Sequence, residues 1–355
     1  MKNIIKSVIV MLTSVSLFAS ANAGELSVTG SAKATYNILS GFGQNQKAGL
    51  GVSNEFNLGA SGELDNGWTW KYSIAMDPGN SDSNTAAVEN DDSALTLSTP
   101  FGTVGVFSMA GALDVEDGAS QSVYGRPTDT GDPSATNDNF TIDSYNNIQY
   151  HTPAGMLPYG VSFKIAYAPG LDGTQNSGNA GGVTVTNSAT NMGSSATEYQ
   201  LTATPLDGLT VGASYIEFSG AGSSTVLALE QQPESGAVYA KYKYGNLGVG
   251  YSMARRSNLL EAAASATTVE WYEQKNYSIA YAMSDSLSVS FERETSLPHT
   301  VTPNQTVYEQ DSSAIQAAYT MGGLTFAASI GSYDNNGYAA NANANQALFA
   351  VSMAF

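Results

Sequence analysis

Apolar and polar residues alternate with a period of two along most of this chain. Between Trp68 and Met76 the even positions carry large apolar side chains, while Thr69, Lys71 and Ser73 occupy odd positions. A β-strand directs two such sets to opposite faces. Runs of this kind predict sixteen strands, at residues 26–38, 52–64, 67–77, 93–99, 103–109, 144–152, 161–168, 197–204, 209–219, 236–244, 247–255, 271–283, 287–294, 314–320, 324–330 and 345–355.

The connections between these strands alternate between short and long. The turns at 65–67, 100–102 and 245–246 are tight and rich in Gly, Asn and Pro, whereas the connection at 110–143 is much longer than these turns. Short and long connections in strict alternation are typical of membrane barrels built from hairpins. An even number of strands also lets the first strand pair antiparallel with the last and close the sheet.

The composition changes this picture from a soluble sheet to a membrane barrel. Charged residues are only 12% of the chain, against about 25% in typical soluble domains. After residue 23 no apolar run is long enough for a membrane-spanning helix, and lipid admits no open sheet edges. We therefore predict an all-β fold, a sixteen-stranded antiparallel transmembrane β-barrel with short periplasmic turns and long external loops.

The N-terminus predicts export from the cytoplasm. Lys2 and Lys6 precede a short apolar run, and the small residues of "ANA" at 21–23 provide a cleavage site. This pattern is typical of a secretory signal peptide, so we assign residues 1–23 to it and residues 24–355 to a single barrel domain. Without Lys2 and Lys6, 11 basic residues face 31 acidic ones, a net charge of −20. Such a charge argues against nucleic acid as a partner.

Aromatic residues gather beside the short turns. They are Trp68, Trp70, Phe101, Tyr242, Tyr244, Tyr281, Tyr319 and the C-terminal Phe355. Aromatic side chains favour the interfaces of a membrane, where a barrel carries them as a ring. We expect this group to form one such ring, with Phe355 facing lipid.

With its signal peptide, eight hairpins, terminal Phe355 and placement of the long connection, the mature chain resembles the Gram-negative outer-membrane general porins. The resemblance implies a homotrimer in the outer membrane, beside lipid and lipopolysaccharide. It implies that the third long loop, about 110–143, folds into the lumen and narrows it. It also implies that the "FAVSMAF" end, with Phe355, is a signal to the outer-membrane assembly machinery. The loop motif of the enterobacterial members has no close match here.

Two sets of charged residues are candidates for the pore lining. The loop carries acids and one base, and the strand alternation directs a set of lysines inward; the resemblance implies that loop acids face wall bases across the constriction. The loop set is Asp114, Glu116, Asp117, Arg126, Asp129, Asp132 and Asp138, with Asp143 at its end. The wall set is Lys33, Lys71, Lys164, Lys241 and Lys243. Arg255, Lys275 and Arg293 instead share the outward parity, so we expect them at the rim, near lipopolysaccharide phosphates.

These residues predict a water-filled channel for passive diffusion of small hydrophilic solutes and ions, mildly cation-preferring because acids outnumber bases. One alternative is a channel with a saturable site lined by Tyr124 and Phe140. Another is a secreted β-rich adhesin or lectin-like protein. No catalytic constellation is evident, so we expect no enzyme activity. We also expect no metal centre or cofactor, apart from weak calcium binding by loop carboxylates.

Overall fold

The computed structural model describes residues 24–41, 44–78, 88–129, 138–171, 193–220, 229–261, 264–303 and 305–355. The predicted signal peptide lies outside these residues. The strands are β1 Glu25–Gly41, β2 Gln44–Glu63, β3 Thr69–Pro78, β4 Val88–Thr99, β5 Gly102–Ser108, β6 Asn147–His151, β7 Ser162–Ala168, β8 Ser195–Leu206, β9 Leu209–Ser219, β10 Leu229–Gln231, β11 Glu234–Tyr244, β12 Leu247–Ser257, β13 Leu260–Glu261, β14 Val269–Ala282, β15 Leu287–Thr300, β16 Gln310–Met321, β17 Leu324–Asp334 and β18 Ala344–Ala354.

Helical structure in the described residues is limited to single 3₁₀ turns. They span Glu116–Ala119, Pro127–Asp129, Ile142–Ser144, Pro158–Gly160 and Asn336–Tyr338. Three of the five lie in the connection between β5 and β6. No helix in the described ranges is long and apolar enough to cross a membrane.

Sixteen of the strands form one closed antiparallel barrel, which confirms the predicted fold class and strand number. Each strand pairs with its neighbours in chain order, and β1 pairs with both β2 and β18. The other two strands, β10 and β13, form a small separate sheet between long loops. The sequence did not predict that sheet, because strands of two and three residues are too short to show any alternation.

The barrel wall is apolar outside and polar inside. Leu50 is 85% exposed and Ile315 65% exposed on the outer face, whereas Glu292 and Gln316 on the inner face are 0% and 2% exposed. A soluble sheet would bury the first pair and expose the second. The arrangement is stable only where the outer face meets lipid and the inner face meets water or other polar groups.

Strand β15 is longer than its alternation predicts. The predicted end at residue 294 is wrong, because β15 continues to Thr300. Beyond Ser296 it pairs with β14 and no longer with β16. Pro298, which has no N–H, therefore interrupts no hydrogen bonds to β16. The His299 ring stacks on Trp271, with 3.6 Å between ring centroids.

Phe355 closes the barrel at the seam between the first and last strands. Its N–H donates to the Gly30 carbonyl at 2.9 Å, and its own carbonyl accepts from the Gly30 N–H at 2.8 Å. Its ring meets Phe56 edge to face, with centroids 5.8 Å apart, on the outer face. A Cβ on Gly30 would stand 2.8 Å from the Phe355 ring. The ring therefore covers a position where only glycine fits.

Candidate functional site

The connection between β5 and β6 lies inside the barrel. Its described parts, 109–129 and 138–146, bond to inward-facing side chains of successive strands, and these wall groups are mostly small hydroxyls and amides. Each of the following is a hydrogen bond between loop backbone and wall: Gln200 Nε2 to Leu113 O at 2.8 Å, Val115 N to Ser214 Oγ at 3.1 Å, Ser252 Oγ to Glu116 O at 2.7 Å, Gln121 N to Ser278 Oγ at 2.7 Å, Val123 N to Ser290 Oγ at 3.1 Å and Tyr124 N to Gln316 Oε1 at 3.1 Å.

The loop therefore covers one side of the lumen. Its contacts begin on β6, where Asn147 Nδ2 donates to the Ala110 carbonyl at 3.1 Å, and continue from β8 through β9, β11, β12, β14, β15 and β16. Tyr124 then packs on Leu348 and Ala350 of β18. The inner faces of β1 to β5 have no such backbone bonds to the loop among the described residues. We call the loop-covered side the loop wall and the inner faces of β1–β5 the open wall.

Glycine on β12 allows the loop backbone to approach the barrel closely. A Cβ at Gly250 would stand 1.8 Å from the Ala119 carbonyl oxygen, and one at Gly248 would stand 2.4 Å from Gln121 Oε1. Any side chain at Gly250 must therefore displace the loop main chain. The contact depends on the absence of a side chain, as expected where two backbones meet.

Two buried carboxylates on β15 anchor the loop, and the sequence analysis missed both. Glu292 Oε2 accepts hydrogen bonds from Ser120 Oγ at 2.7 Å and Ser122 Oγ at 2.6 Å. Glu294 Oε2 accepts from the Thr128 N–H at 3.0 Å and the Thr128 hydroxyl at 2.7 Å. The available signal was their parity, since both alternate with the outward Phe291 and so point inward.

Arg126 is the centre of an ion-pair cluster in the loop. Its guanidinium meets Glu294 Oε1 at 3.1 Å, makes a fork with both oxygens of Asp129 at 2.9 and 3.0 Å, and also contacts Asp117. The side chain is only 11% exposed. Arg126 was expected to line the pore as the loop's single base. It instead joins loop acids to the barrel wall, so its charge is neutralised locally.

Glu116 does not line the pore, which corrects the expectation for this residue. It is 7% exposed, and its Oε2 accepts a 3.0 Å hydrogen bond from the Asn139 N–H, which joins the two halves of the loop. Burial, and after it the negative charge of Asp138, raises the pKa of the Glu116 carboxyl well above its usual range. Asp132, in the same predicted set, lies outside the described residues.

The other loop acids differ in their ionisation. Burial and then the charge of Asp143 raise the pKa of Asp114 to about 6. Burial raises the pKa of Asp117 to about 7 against the opposing effect of Arg126. At neutral pH the loop therefore carries less negative charge than its count of acids suggests.

The five lysines of the wall set share their inward parity with polar or small neighbours. Lys33 and Lys71 lie on the open wall, on β1 and β3, and Lys164 lies on the inner face of β7. Lys33 Nζ is 5.6 Å from the centroid of the Tyr124 ring, at the edge of the surface that the loop covers. Glu55 on β2 is an inward acid that the sequence analysis missed; it lies diagonally across from Lys33. The open wall is therefore mixed in charge.

Lys241 and Lys243 lie on β11, on the loop wall. Lys241 Nζ is 5.8 Å from the centroid of the Tyr239 ring. In the ladder Lys241 pairs with Gly250 and Lys243 with Gly248, the two glycines that the loop contacts. Both lysines therefore lie between the level of the loop and the short turn at 245–246. They line a cavity of about 530 Å³ together with Gln121, Thr204, Asp207 and Thr210.

The three outward-facing bases are each engaged on the outer face. Arg293 pairs with Asp311 at 2.5 Å, and Lys275 contacts Glu273. The Arg255 guanidinium stacks 4.2 Å from the Trp271 ring centroid. None of the three faces the lumen.

Across the described ranges, no group of three or more His, Asp or Glu side chains is placed to hold a metal ion. His151 Nε2 lies 2.7 Å from Gln149 Oε1, and His299 lies on the outer face beside Trp271.

Comparison with known proteins agrees with this geometry. A sequence model described as Gram-negative porin matches residues 8–355. A double mutant of Rh. blastica porin has a TM-score of 0.60 at 16% identity, over 93% of this chain and 100% of that chain. A five-site mutant of the same porin has a TM-score of 0.61 at the same identity and coverage. A porin structure refined at 1.8 Å has a TM-score of 0.60, also at 16% identity, over 93% of this chain and 100% of that chain.

No curated protein matches this chain in sequence. The similarity to the solved structures shows the barrel fold, and the match to the family model spans nearly the whole chain. On that match, the chain belongs to the Gram-negative porin family.

Proposed function

We propose that this porin forms a water-filled outer-membrane channel through which small hydrophilic solutes and ions diffuse passively, with a mild preference for cations. The observation that carries the proposal is the position of the β5–β6 loop, which is fastened along one side of the lumen and leaves a polar wall opposite. A sixteen-stranded barrel is wide enough to remain open to water beside such a loop. In this proposal the loop acids Asp114, Asp117, Asp129 and Asp138 border the same lumen as the lysines of the open wall.

Reconstitution in a planar bilayer tests this function. We expect stepwise increases in conductance in KCl, because each inserted channel is open, and a reversal potential of cationic sign under a salt gradient. A homotrimer, as in the family, would give steps in groups of three. Purified, folded protein that leaves the bilayer electrically silent would rule out the channel. A reversal potential of anionic sign would remove only the cation preference.

The saturable-site alternative receives no support from the two aromatics that suggested it. Phe140 packs edge to face on Phe218, with ring centroids 5.1 Å apart, and Arg256 lies 4.2 Å from its ring centroid. Tyr124 packs on apolar side chains of the loop wall. Both rings help to fasten the loop. The family assignment likewise speaks against a secreted adhesin.

The proposal also covers export, the surroundings of the barrel and the absence of a cofactor. Residues 1–23 act as the signal peptide, and lipid and lipopolysaccharide surround the outer face, with Arg255, Lys275 and Arg293 near its long-loop rim. The channel needs no cofactor and performs no catalysis. Calcium binding by loop carboxylates is weak, because Asp117 and Asp129 are already paired with Arg126.

Phe355 is proposed as the assembly signal, and its seam contacts predict a clear defect. Phe355→Ala removes the ring that covers Gly30 and packs on Phe56, and we expect the yield of folded barrel in outer membranes to fall by about tenfold, because an aromatic pair contributes about 0.5–1.5 kcal/mol beyond its buried area and a tenfold change corresponds to about 1.4 kcal/mol. Quantitative detection of the heat-resistant form measures this. Tyr281→Ala, an outward aromatic away from the seam, is the control. An unchanged yield for Phe355→Ala would contradict the role.

A further inference from the structure

Four of the five wall lysines lie near the short-turn end of the barrel. Lys71 and Lys164 are each the third residue of a strand that begins after a short connection, on β3 and β7. Lys241 and Lys243 are the fourth and second residues from the end of β11, just before the turn at 245–246. The acids and Arg126 of the loop lie beyond them, toward the long loops. The basic side chains of the wall are thus concentrated toward the short-turn end of the barrel.

These lysines are also unpaired. Within the residues that the structure describes, no carboxylate oxygen lies within 4.0 Å of the ammonium group of Lys71, Lys164, Lys241 or Lys243. Arg126, Lys275 and Arg293, by contrast, each have a carboxylate partner. A free ammonium group in a water-filled lumen keeps its full charge for ions that pass.

Lys241 and Lys243 line a cavity that could hold a small ligand. The cavity of about 530 Å³ next to the loop is lined by both lysines, by the hydroxyl-bearing Thr204 and Thr210, and by Gln121 of the loop. Asp207 also lies on its lining, and Glu25 and Glu63 lie at strand ends on the same side of the barrel. Two cationic groups with neutral donors around them suit an oxyanion, and a single acid on the lining reduces that preference without reversing it.

We propose that the short-turn side of this channel is an anion-collecting vestibule, with an oxyanion subsite at Lys241 and Lys243. The ligand class is a small multivalent oxyanion, either free phosphate or the phosphate or carboxylate group of a solute. The inference rests on the proposed channel function. It adds that the channel is electrically asymmetric. Anions that enter from the short-turn side meet the lysines first, whereas anions that enter from the long-loop side meet the loop acids first.

Inorganic phosphate is the probe, added to one side of single channels that carry a KCl current. The chain contains no cysteine, so Asn246→Cys in the short turn, labelled with an impermeant thiol reagent, reports which side that turn faces. We expect phosphate to reduce the current at lower concentration from the short-turn side. We expect Lys241→Gln/Lys243→Gln to raise the half-blocking concentration by about fivefold or more, since each charge acts on a divalent anion at close range.

Two further variants make the result interpretable. Lys241→Arg/Lys243→Arg keeps both charges and is expected to retain the sidedness, and Lys275→Gln, an outward paired lysine, is expected to leave it unchanged. If the double Gln variant fails to insert, Lys243→Gln alone provides the comparison. Two results would overturn the vestibule: phosphate block that is equal from the two sides, or block that the Gln substitutions do not change. If the KCl steps are normal in either case, the proposed channel function is unaffected. An absence of KCl steps from the unaltered protein would instead overturn the channel.

Discussion

Single channels of the variant Glu292→Ala/Glu294→Ala are expected to flicker and to conduct about half as much on average as the unaltered protein, because the loop loses its anchor to β15 and can move only into the lumen. Glu292 accepts hydrogen bonds from Ser120 and Ser122, and Glu294 accepts from Thr128 and pairs with Arg126. Removing one side of such a buried network costs roughly 3–5 kcal/mol.

A change of that size shifts the balance between fastened and displaced loop by more than about a hundredfold. The barrel itself should survive, because its ladder of backbone hydrogen bonds does not involve these side chains. Arg126 also keeps Asp117 and Asp129 as partners. The measurement is the single-channel current with its noise spectrum, together with the heat-resistant mobility of the folded barrel as evidence of folding.

Two other variants separate loop release from a general loss of charge. Glu273→Ala removes an outward carboxylate of β14 that contacts only Lys275 among the ion pairs of the described residues, and it should leave the current quiet. Gly250→Val pushes on the loop main chain at Ala119 without changing any charge, and it should reproduce the flicker. A quiet, fully conducting Glu292→Ala/Glu294→Ala channel would show that these anchors do not hold the loop.

The cation preference is expected to weaken as the pH falls from about 8 to about 5, by a factor of about two in the permeability ratio. The pKa of Asp114 is raised to about 6 and that of Asp117 to about 7, in both cases chiefly by burial. Both carboxyls are therefore charged above these values and neutral below them. As these carboxyls lose their charge, the balance of charge in the lumen becomes less negative and moves toward the passage of anions.

Reversal potentials in a KCl gradient, measured at several pH values, give the ratio directly. The matched variant Asp114→Asn/Asp117→Asn should have a lower cation preference at pH 8 and a flatter pH profile, because two of the titrating groups are gone. The unaltered protein should meet the variant's value near pH 5. A profile that stays flat in the unaltered protein would exclude these two carboxyls as the source of selectivity.

Several features of the candidate site were not predictable because they depend on contacts between distant residues. Ser120 and Glu292 are 172 positions apart, and no local pattern relates them. Glu116 and Asp117 are neighbours of the same chemical type, yet the first is buried against the other half of the loop and the second contacts Arg126. A run of acids shows that charge is present in a loop; the path of the loop then determines which acids meet water.

The barrel, by contrast, was determined by the sequence itself. Strand alternation repeats every two residues and short turns mark the hairpins, so the inward parity of Lys33, Lys71 and Lys241 followed from their immediate neighbours. Closure followed from an even number of strands. Only the tertiary structure decided where the β5–β6 loop is fastened, which charges it neutralises and which lysines remain free. The physical reason is the range of the interactions: side-chain direction in a strand is set locally, whereas burial and ion pairing are set by whichever distant strand the loop meets.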